Sequence, residues 1–268
     1  MIRTIITGSA GRMGKALVAA IAANPEFQLA GATEYPASPL IGQDAGTVAG
    51  VAALNVPISA SLTPEMLANA DAIIDFSTGN VLENARAAAK AGLSIVIGTT
   101  ALTDADKAAL RELSAHQGAR IVQTFNYSVG VNLLFFLSGT TASLLADDFD
   151  MEIIEAHHNQ KKDAPSGTAV RLAEVLCEAA NRTSDDLVYG RQGVVGARTR
   201  REIGVHAVRG GDIVGDHTVL FAGDGERIEL THRASSRMTF AKGALRAAKW
   251  LEGASAGYYD MQDVLGLK

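Results

Sequence analysis

The sequence predicts an α/β protein in which a Rossmann-type doubly wound parallel sheet is joined to a second α+β domain with a mainly antiparallel or mixed sheet. Three observations predict it. Short apolar runs alternate with Ala/Leu-rich helical segments through the first half of the chain, the pattern of repeated βα units. A glycine turn joins the first such run to the first helix. Beyond about residue 127 the alternation gives way to closely spaced strand-like runs punctuated by Gly-Asp turns.

In chain order, strands are predicted at residues 4–7, 28–34, 72–76, 94–98 and 121–124, and helices at 14–23, 82–91 and 105–116. Thr103 and Asp106 have the spacing of a capping box and place the start of the third helix. Residues 121–146 contain no Asp, Glu, Lys or Arg, yet Asn126, Ser128, Asn132, Ser138, Thr140, Thr141 and Ser143 interrupt the run too often for a membrane span, so a buried interdomain helix is expected. A strand at 151–156 and a helix at 166–180 follow. Strands at 205–208, 218–221 and 227–231 are separated by Gly210-Gly211-Asp212 and Gly223-Asp224-Gly225. The expected division is 1–126 for dinucleotide binding and 127–238 for substrate binding and assembly, with 239–268 packing back on the first part.

With 268 residues, 47% of them hydrophobic and 20% charged, the chain can bury full cores, and two domains are expected. A formal net charge of −5 argues against nucleic acid as the main partner and leaves a small molecule as the default. The single cysteine, Cys177, sits in an apolar helical run and reads as a buried structural thiol in a reducing compartment. The chain opens on a strand with no charged-then-apolar presequence, so a cytoplasmic protein is expected.

Gly8-Ser9-Ala10-Gly11-Arg12-Met13-Gly14 follows the first strand and opens the first helix, the setting of a pyrophosphate-binding turn. Glu34 lies 20 residues after Gly14 at the end of the second strand, where a carboxylate accepts hydrogen bonds from an adenosine ribose. Glu34 alone favours NAD, while Arg12 offsets the repulsion of a 2′-phosphate, so both NADH and NADPH remain open. Gly98, Thr99 and Thr100 end a later strand and read either as the sheet edge where a nicotinamide is expected or as a simple strand-to-helix turn.

The densest chemistry lies in Glu155-Ala156-His157-His158-Asn159-Gln160-Lys161-Lys162-Asp163-Ala164-Pro165-Ser166-Gly167-Thr168. The Gly167 and Thr168 amides start a helix and form a carboxylate pocket with the Ser166 and Thr168 hydroxyls, and His158 and Lys161 add positive charge. His157 titrates near neutrality and is a candidate proton donor; Lys161 either polarises the substrate or supplies that proton. Adjacent histidines face opposite sides of a strand, so no metal site is expected. Arg198, Arg200 and Arg201 read as a solvated loop or subunit contact, and His206, His217 and His232 as structural.

At these residues the chain resembles the dihydrodipicolinate reductase family over essentially its whole length. The 155–168 segment carries most of the resemblance, supported by the 8–14 glycine turn, Gly98-Thr99-Thr100, the 126–132 segment and the 209–217 segment. The resemblance implies that His157 is the proton donor and Lys161 its catalytic partner, with His158, Gly167 and Thr168 on the carboxylates of the substrate. It further implies that Gly8 to Met13, Glu34, Gly98 to Thr100, and Thr124, Phe125, Asn126 and Tyr127 hold the cofactor. The implied reaction is NADH- or NADPH-dependent reduction of a cyclic imine dicarboxylate to tetrahydrodipicolinate, on the diaminopimelate route to lysine, by a homotetramer assembled through the sheet of the second domain. Some relatives carry Arg after the acidic residue; this chain has Tyr35, which removes a cation for a 2′-phosphate. The competing readings are a nucleotide-sensing regulator without turnover, against which the intact His157, Lys161 and Gly167-Thr168 set speaks, and a thiol-dependent aldehyde dehydrogenase, for which Cys177 lacks an activating neighbour.

Overall fold

The structure is a computed structural model that describes residues 1–99, 102–146 and 148–268. Within them the order is β1 (Ile2–Thr7), α1 (Arg12–Ala22), β2 (Phe27–Thr33), α2 (Ala45–Val48), β3 (Ile58–Ser59), α3 (Pro64–Ala68), β4 (Ala72–Asp75), α4 (Val81–Ala91), β5 (Ser94–Ile97), α5 (Asp104–Gln117), β6 (Arg120–Gln123), α6 (Val129–Leu145), β7 (Asp150–His157), α7 (Gly167–Ala179), a 3-10 turn (Ser184–Asp186), β8 (Leu187–Tyr189), β9 (Ile203–Arg209), β10 (Gly215–Gly223), β11 (Glu226–Ala234), α8 (Met238–Leu251), β12 (Gly257–Tyr259) and α9 (Met261–Leu265). They form two compact units: Met1–Val129 together with Arg237–Lys268, and Gly130–Ser236.

The first unit is built on a seven-stranded sheet, order β12-β6-β5-β4-β1-β2-β3, in which every neighbouring pair is parallel. Side chains alternate faces along a strand, and the consecutive apolar residues of each strand therefore divide between two cores. Ile6, Ile74, Val96 and Val122 meet Leu17 and Val18 of α1 and Ala244 and Leu245 of α8 on one face. Ile5, Ile73, Ile95 and Ile121 meet Ala85 of α4 and Leu110 and Leu113 of α5 on the other. Each Ile, Leu or Val among them, fully removed from water, contributes about 1.5–3 kcal/mol. Thr103 and Asp106 do form a capping box, the Thr103 side chain accepting from the Asp106 amide and the Asp106 side chain accepting from the Thr103 amide. The sequence pattern gives no warning of α2, β3, α3, β12 or α9. Each is five residues or fewer, too short to show a period, and is fixed by pairing or docking on longer elements.

The second unit has a five-stranded sheet, order β11-β10-β7-β9-β8. Of the expected antiparallel or mixed patterns the sheet is mixed: β7 pairs antiparallel with β10 and β10 with β11, whereas β7–β9 and β9–β8 are parallel. The Gly223-Asp224-Gly225 signal closes a true hairpin, with Gly223 opposite Glu226 and Gly225 at φ +82°. Gly210-Gly211-Asp212 does not, because β7 lies between β9 and β10. That loop spans the end of β7: the Gly210 amide donates to the His157 carbonyl at 2.9 Å, and the His158 amide to the Ile213 carbonyl at 2.8 Å. Helices α6 and α7 cover one face of the sheet through Leu134, Phe135, Leu172 and Leu176 against Met151, Ile153, Val219 and Phe221. Helix α6 departs from the fully buried helix expected of 121–146, since within this chain Leu133, Phe136, Leu137 and Leu144 are exposed. No helix among the described residues is long and apolar enough to cross a membrane.

Candidate active site

In the first unit the turn after β1 approaches neighbouring backbone so closely that only glycine fits. Gly8 has φ +70°, and a Cβ on it would lie 2.9 Å from the Phe76 carbonyl oxygen. A Cβ on Gly14 would fall 2.1 Å from the Gly8 carbonyl oxygen, so the turn and the first turn of α1 are pressed together. The Ser9 amide and hydroxyl both donate to the Thr33 carbonyl, at 3.0 and 3.1 Å. The Ala10 amide donates to Glu34 Oε2 at 2.9 Å, bringing the predicted carboxylate onto the glycine turn. Arg12 is exposed, whereas Met13 turns its side chain into the core, which leaves only its backbone for a ligand.

Two cavities share the 77–80 loop, and the first of them borders this turn. One of about 490 Å³ is lined by Gly8, Glu34, Tyr35, Ser61 and the 77–80 loop, and one of about 630 Å³ by the same loop with Phe76, Arg86, Gly98 and Thr99. Thr99 Oγ1 donates to the Ser77 carbonyl at 2.7 Å, and a Cβ on Gly98 would collide with the Phe76 ring at 2.2 Å. Thr100 lies outside the described residues. The residues of the 77–80 loop were not singled out from sequence. Their signal was position, since ligands of parallel sheets gather at the carboxyl ends of strands and this loop leaves the carboxyl end of β4. Asp75, fully buried at that end, orders the loop by accepting from the Ser77 amide at 2.8 Å and from Asn84 Nδ2 at 2.8 Å. Of the 124–127 group, Phe125 is exposed and Thr124 is buried at the end of β6. Asn126 Oδ1 accepts from the Ser128 amide at 2.9 Å. Tyr127 is 2% exposed, and its hydroxyl is engaged by the carbonyls of Ile97 at 2.8 Å and Val122 at 3.1 Å, which leaves its backbone as the part a cofactor would meet.

In the second unit β7 carries Glu155 and His157 on its inward face. Glu155 is completely buried and accepts four hydrogen bonds. Arg209 grips it with both terminal nitrogens at 2.8 Å, the Ser166 amide donates at 3.0 Å, and His157 Nδ1 stands 2.6 Å from Oε2. Burial pushes the Glu155 carboxyl up, but Arg209, His157 and the Ser166 amide outweigh it and hold the group below its ordinary range. His157 is held below the ordinary imidazole range by burial, opposed by Glu155 and reinforced by Lys161 and Arg209. His217, from β10, stacks edge-on against His157 with ring centres 5.2 Å apart, and its buried imidazole is pushed down to about 3.

Ser166 corrects the expectation of a hydroxyl aimed at substrate. It is 2% exposed, caps α7 by accepting from the Ala169 amide at 3.2 Å, and lies 3.0 Å from His217 Nε2. Gly167 and Thr168 head α7, Gly167 exposed and with open space where a side chain would be. Lys161 Nζ pairs with Asp163 at 2.9 Å, and the Lys161 amide donates to the His158 carbonyl at 3.1 Å. The structure thus brings His157, His158, Lys161, Gly167 and Thr168 to one end of β7 and α7, and adds roles for Glu155, Arg209 and His217, which sequence reading quoted within its segments without assigning them a catalytic or binding part. The remaining candidates are structural: Cys177 is buried with its thiol toward the Thr183 carbonyl and raised by burial, and His206 Nε2 pairs with Glu152 at 2.7 Å. Arg201 pairs with Asp186 at 2.8 Å and Arg198 with Asp150 at 2.9 Å.

Residues 2–127 match the family model for the dihydrodipicolinate reductase N-terminus, and residues 130–265 match that for its C-terminus. The chain belongs to the dihydrodipicolinate reductase family. It is 51% identical to the 4-hydroxy-tetrahydrodipicolinate reductase of Syntrophotalea carbinolica and 52% identical to that of Hahella chejuensis, in each case over 100% of both chains. Among solved structures it resembles a dipicolinate-bound dihydrodipicolinate reductase from Paenisporosarcina sp. TG-14, with a TM-score of 0.76, 26% identity and 97% of each chain covered.

Proposed function

We propose that this chain reduces 4-hydroxy-tetrahydrodipicolinate to tetrahydrodipicolinate with NADH or NADPH, on the diaminopimelate route to lysine. The observation that carries the proposal is the Glu155–His157 pair, 2.6 Å apart beside Lys161 and the start of α7, in a chain that matches reductases of this name over their full length. The fit to a dinucleotide rests on the tight strand-to-helix turn that Gly8 and Gly14 permit by packing directly against backbone, and on the Glu34 carboxylate anchored to that turn. Gly8 to Met13 and Glu34 hold the adenosine and pyrophosphate end, Gly98, Thr99 and the 124–126 backbone the other end, and the bound reduced nicotinamide supplies the hydride.

The substrate is a dianion, and binding it requires positive charge and aligned amides: His158 and Lys161 supply the first, Gly167 and Thr168 at the α7 N-terminus the second. Replacing the ring hydroxyl by hydrogen removes a water molecule and adds one hydride and one proton. His157 Nε2 delivers that proton to the enamine carbon left after hydride addition, and Lys161 assists by stabilising the developing charge. Glu34 followed by Tyr35 supports use of NADH, since neither residue offers a cation to a 2′-phosphate.

We also propose a homotetramer assembled through the open face of the second sheet, where Ile154 and Val208 are 39% and 49% exposed, in a cytoplasmic setting. The functional reading is tested by titrating NADH and NADPH with and without pyridine-2,6-dicarboxylate, then measuring turnover. Cofactor binding that ignores the dicarboxylate, together with no turnover, would favour a nucleotide-sensing regulator.

A further inference from the structure

We infer that Glu155 is the positioning residue of the proton-donating histidine: its buried carboxylate, clamped by Arg209 and the Ser166 amide, grips His157 by Nδ1 and fixes Nε2 as the only ring atom that exchanges a proton. The inference deepens the reading of His157 as the acid and rests on it for its catalytic part. Glu155 and His157 are two residues apart on one strand and therefore share a face. A lone carboxylate at zero exposure is costly unless each oxygen is engaged, and here each oxygen has two partners. Oε1 accepts from Arg209 and Ser166; Oε2 accepts from Arg209 and His157. Held from four directions, the carboxylate cannot swing to follow the imidazole, so it dictates where the ring lies. An ionised carboxylate only accepts, so Nδ1 carries its hydrogen in both protonation states and proton exchange falls to Nε2.

A second observation points the same way. Gly215, at the start of β10, has an ordinary backbone φ, yet a Cβ there would stand 3.1 Å from His157 Nε2, nearer than to any other atom. The absence of a side chain at 215 keeps the proton-bearing nitrogen uncovered. The groups facing His157 are Glu155 on its own strand, His217 from β10, Lys161 from the loop after β7 and Arg209 from the end of β9. Of these only Glu155 favours the imidazolium. Without its charge the acid form survives only at lower pH, and because a general acid loses activity as pH rises through its pKa, the alkaline limb of kcat moves down.

The test has two arms. Ring 15N shifts of His157 in the unaltered protein should show a protonated Nδ1 and an unprotonated Nε2 above the imidazole pKa; the opposite tautomer overturns the positioning claim whatever His157 does in catalysis. Kinetics of Glu155→Gln, His157→Gln and the double variant form the second arm, with NADH affinity as the check on folding. Glu155→Gln should lower kcat about 10²-fold, with the alkaline limb shifted down by about one pH unit and KM for the dicarboxylate changed little. In the His157→Gln background it should cost nothing further. Additive losses, or an unmoved limb, overturn the inference. Full turnover by His157→Gln alone removes instead the reading that His157 is the acid. Should Glu155→Gln not fold, the ring 15N arm decides the positioning claim by itself, since it uses the unaltered protein.

Discussion

Acid should dismantle the substrate-side machinery through His217, and the size of the effect follows from its surroundings. The residue is 3% exposed, its Nε2 lies 3.0 Å from the hydroxyl that caps α7, and its pKa falls from 6.5 to about 3 on folding. A depressed folded pKa means that the unfolded chain binds the extra proton, so stability is lost as pH falls below 6.5 and the loss levels off below about 3. At about 1.4 kcal/mol per pH unit the whole gap amounts to about 5 kcal/mol, of which about 3 kcal/mol is already lost at pH 4.5. Glu155, also depressed, adds to the loss in the same direction below its ordinary range, so the contribution of His217 must be isolated. Replacing it in His217→Gln keeps a polar side chain able to donate to or accept from Ser166 and removes the titration. Urea unfolding followed by circular dichroism at pH 7.0 and 4.5, at one protein concentration, should show the unaltered chain losing about 3 kcal/mol more than the variant between the two pH values. Equal losses would show that burial of His217 does not govern the acid limb, and the reasoning would fail.

Other outcomes follow from the same geometry. His157→Gln should lower kcat by about 10²–10⁴-fold while NADH affinity measured by fluorescence persists, as for removal of a general acid. Lys161→Ala should lower kcat and raise KM for the dicarboxylate together, since one cation serves both binding and charge development; a change in melting temperature alone would leave Lys161 a surface residue. Gly14→Ala gains about 1 kcal/mol of helix propensity but places a methyl 2.1 Å from the Gly8 carbonyl oxygen, so the turn must shift and NADH affinity should fall at least about tenfold by titration. Glu34→Gln should move the ratio of NADPH to NADH affinity upward by roughly tenfold, because it removes the charge that repels a 2′-phosphate; an unchanged ratio would detach Glu34 from the ribose.

Much of the molecule is legible in the chain because its signals are local. Runs such as Ile5-Ile6 and Ile73-Ile74 announce strands, the Gly8–Gly14 spacing announces a strand-to-helix turn, and Ser166 followed by Gly167-Thr168 announces a helix start. Local patterns also placed His157, His158 and Lys161 together, since they leave one strand within five residues. What the sequence could not decide depends on partners far along the chain. Nothing near Glu155 reveals that Arg209, 54 residues on, neutralises it, nor that His217 on another strand presses on His157. The place of β7 between β9 and β10 was equally hidden, because strand order is set by how whole apolar faces are buried and not by the turn residues that separate the strands. Tyr127 and Ser166 teach the same lesson at the scale of a hydroxyl: residue type marks each as a possible ligand contact, but each is buried among backbone and side-chain partners that claim its hydrogen bonds, and only the packed structure shows which partners those are.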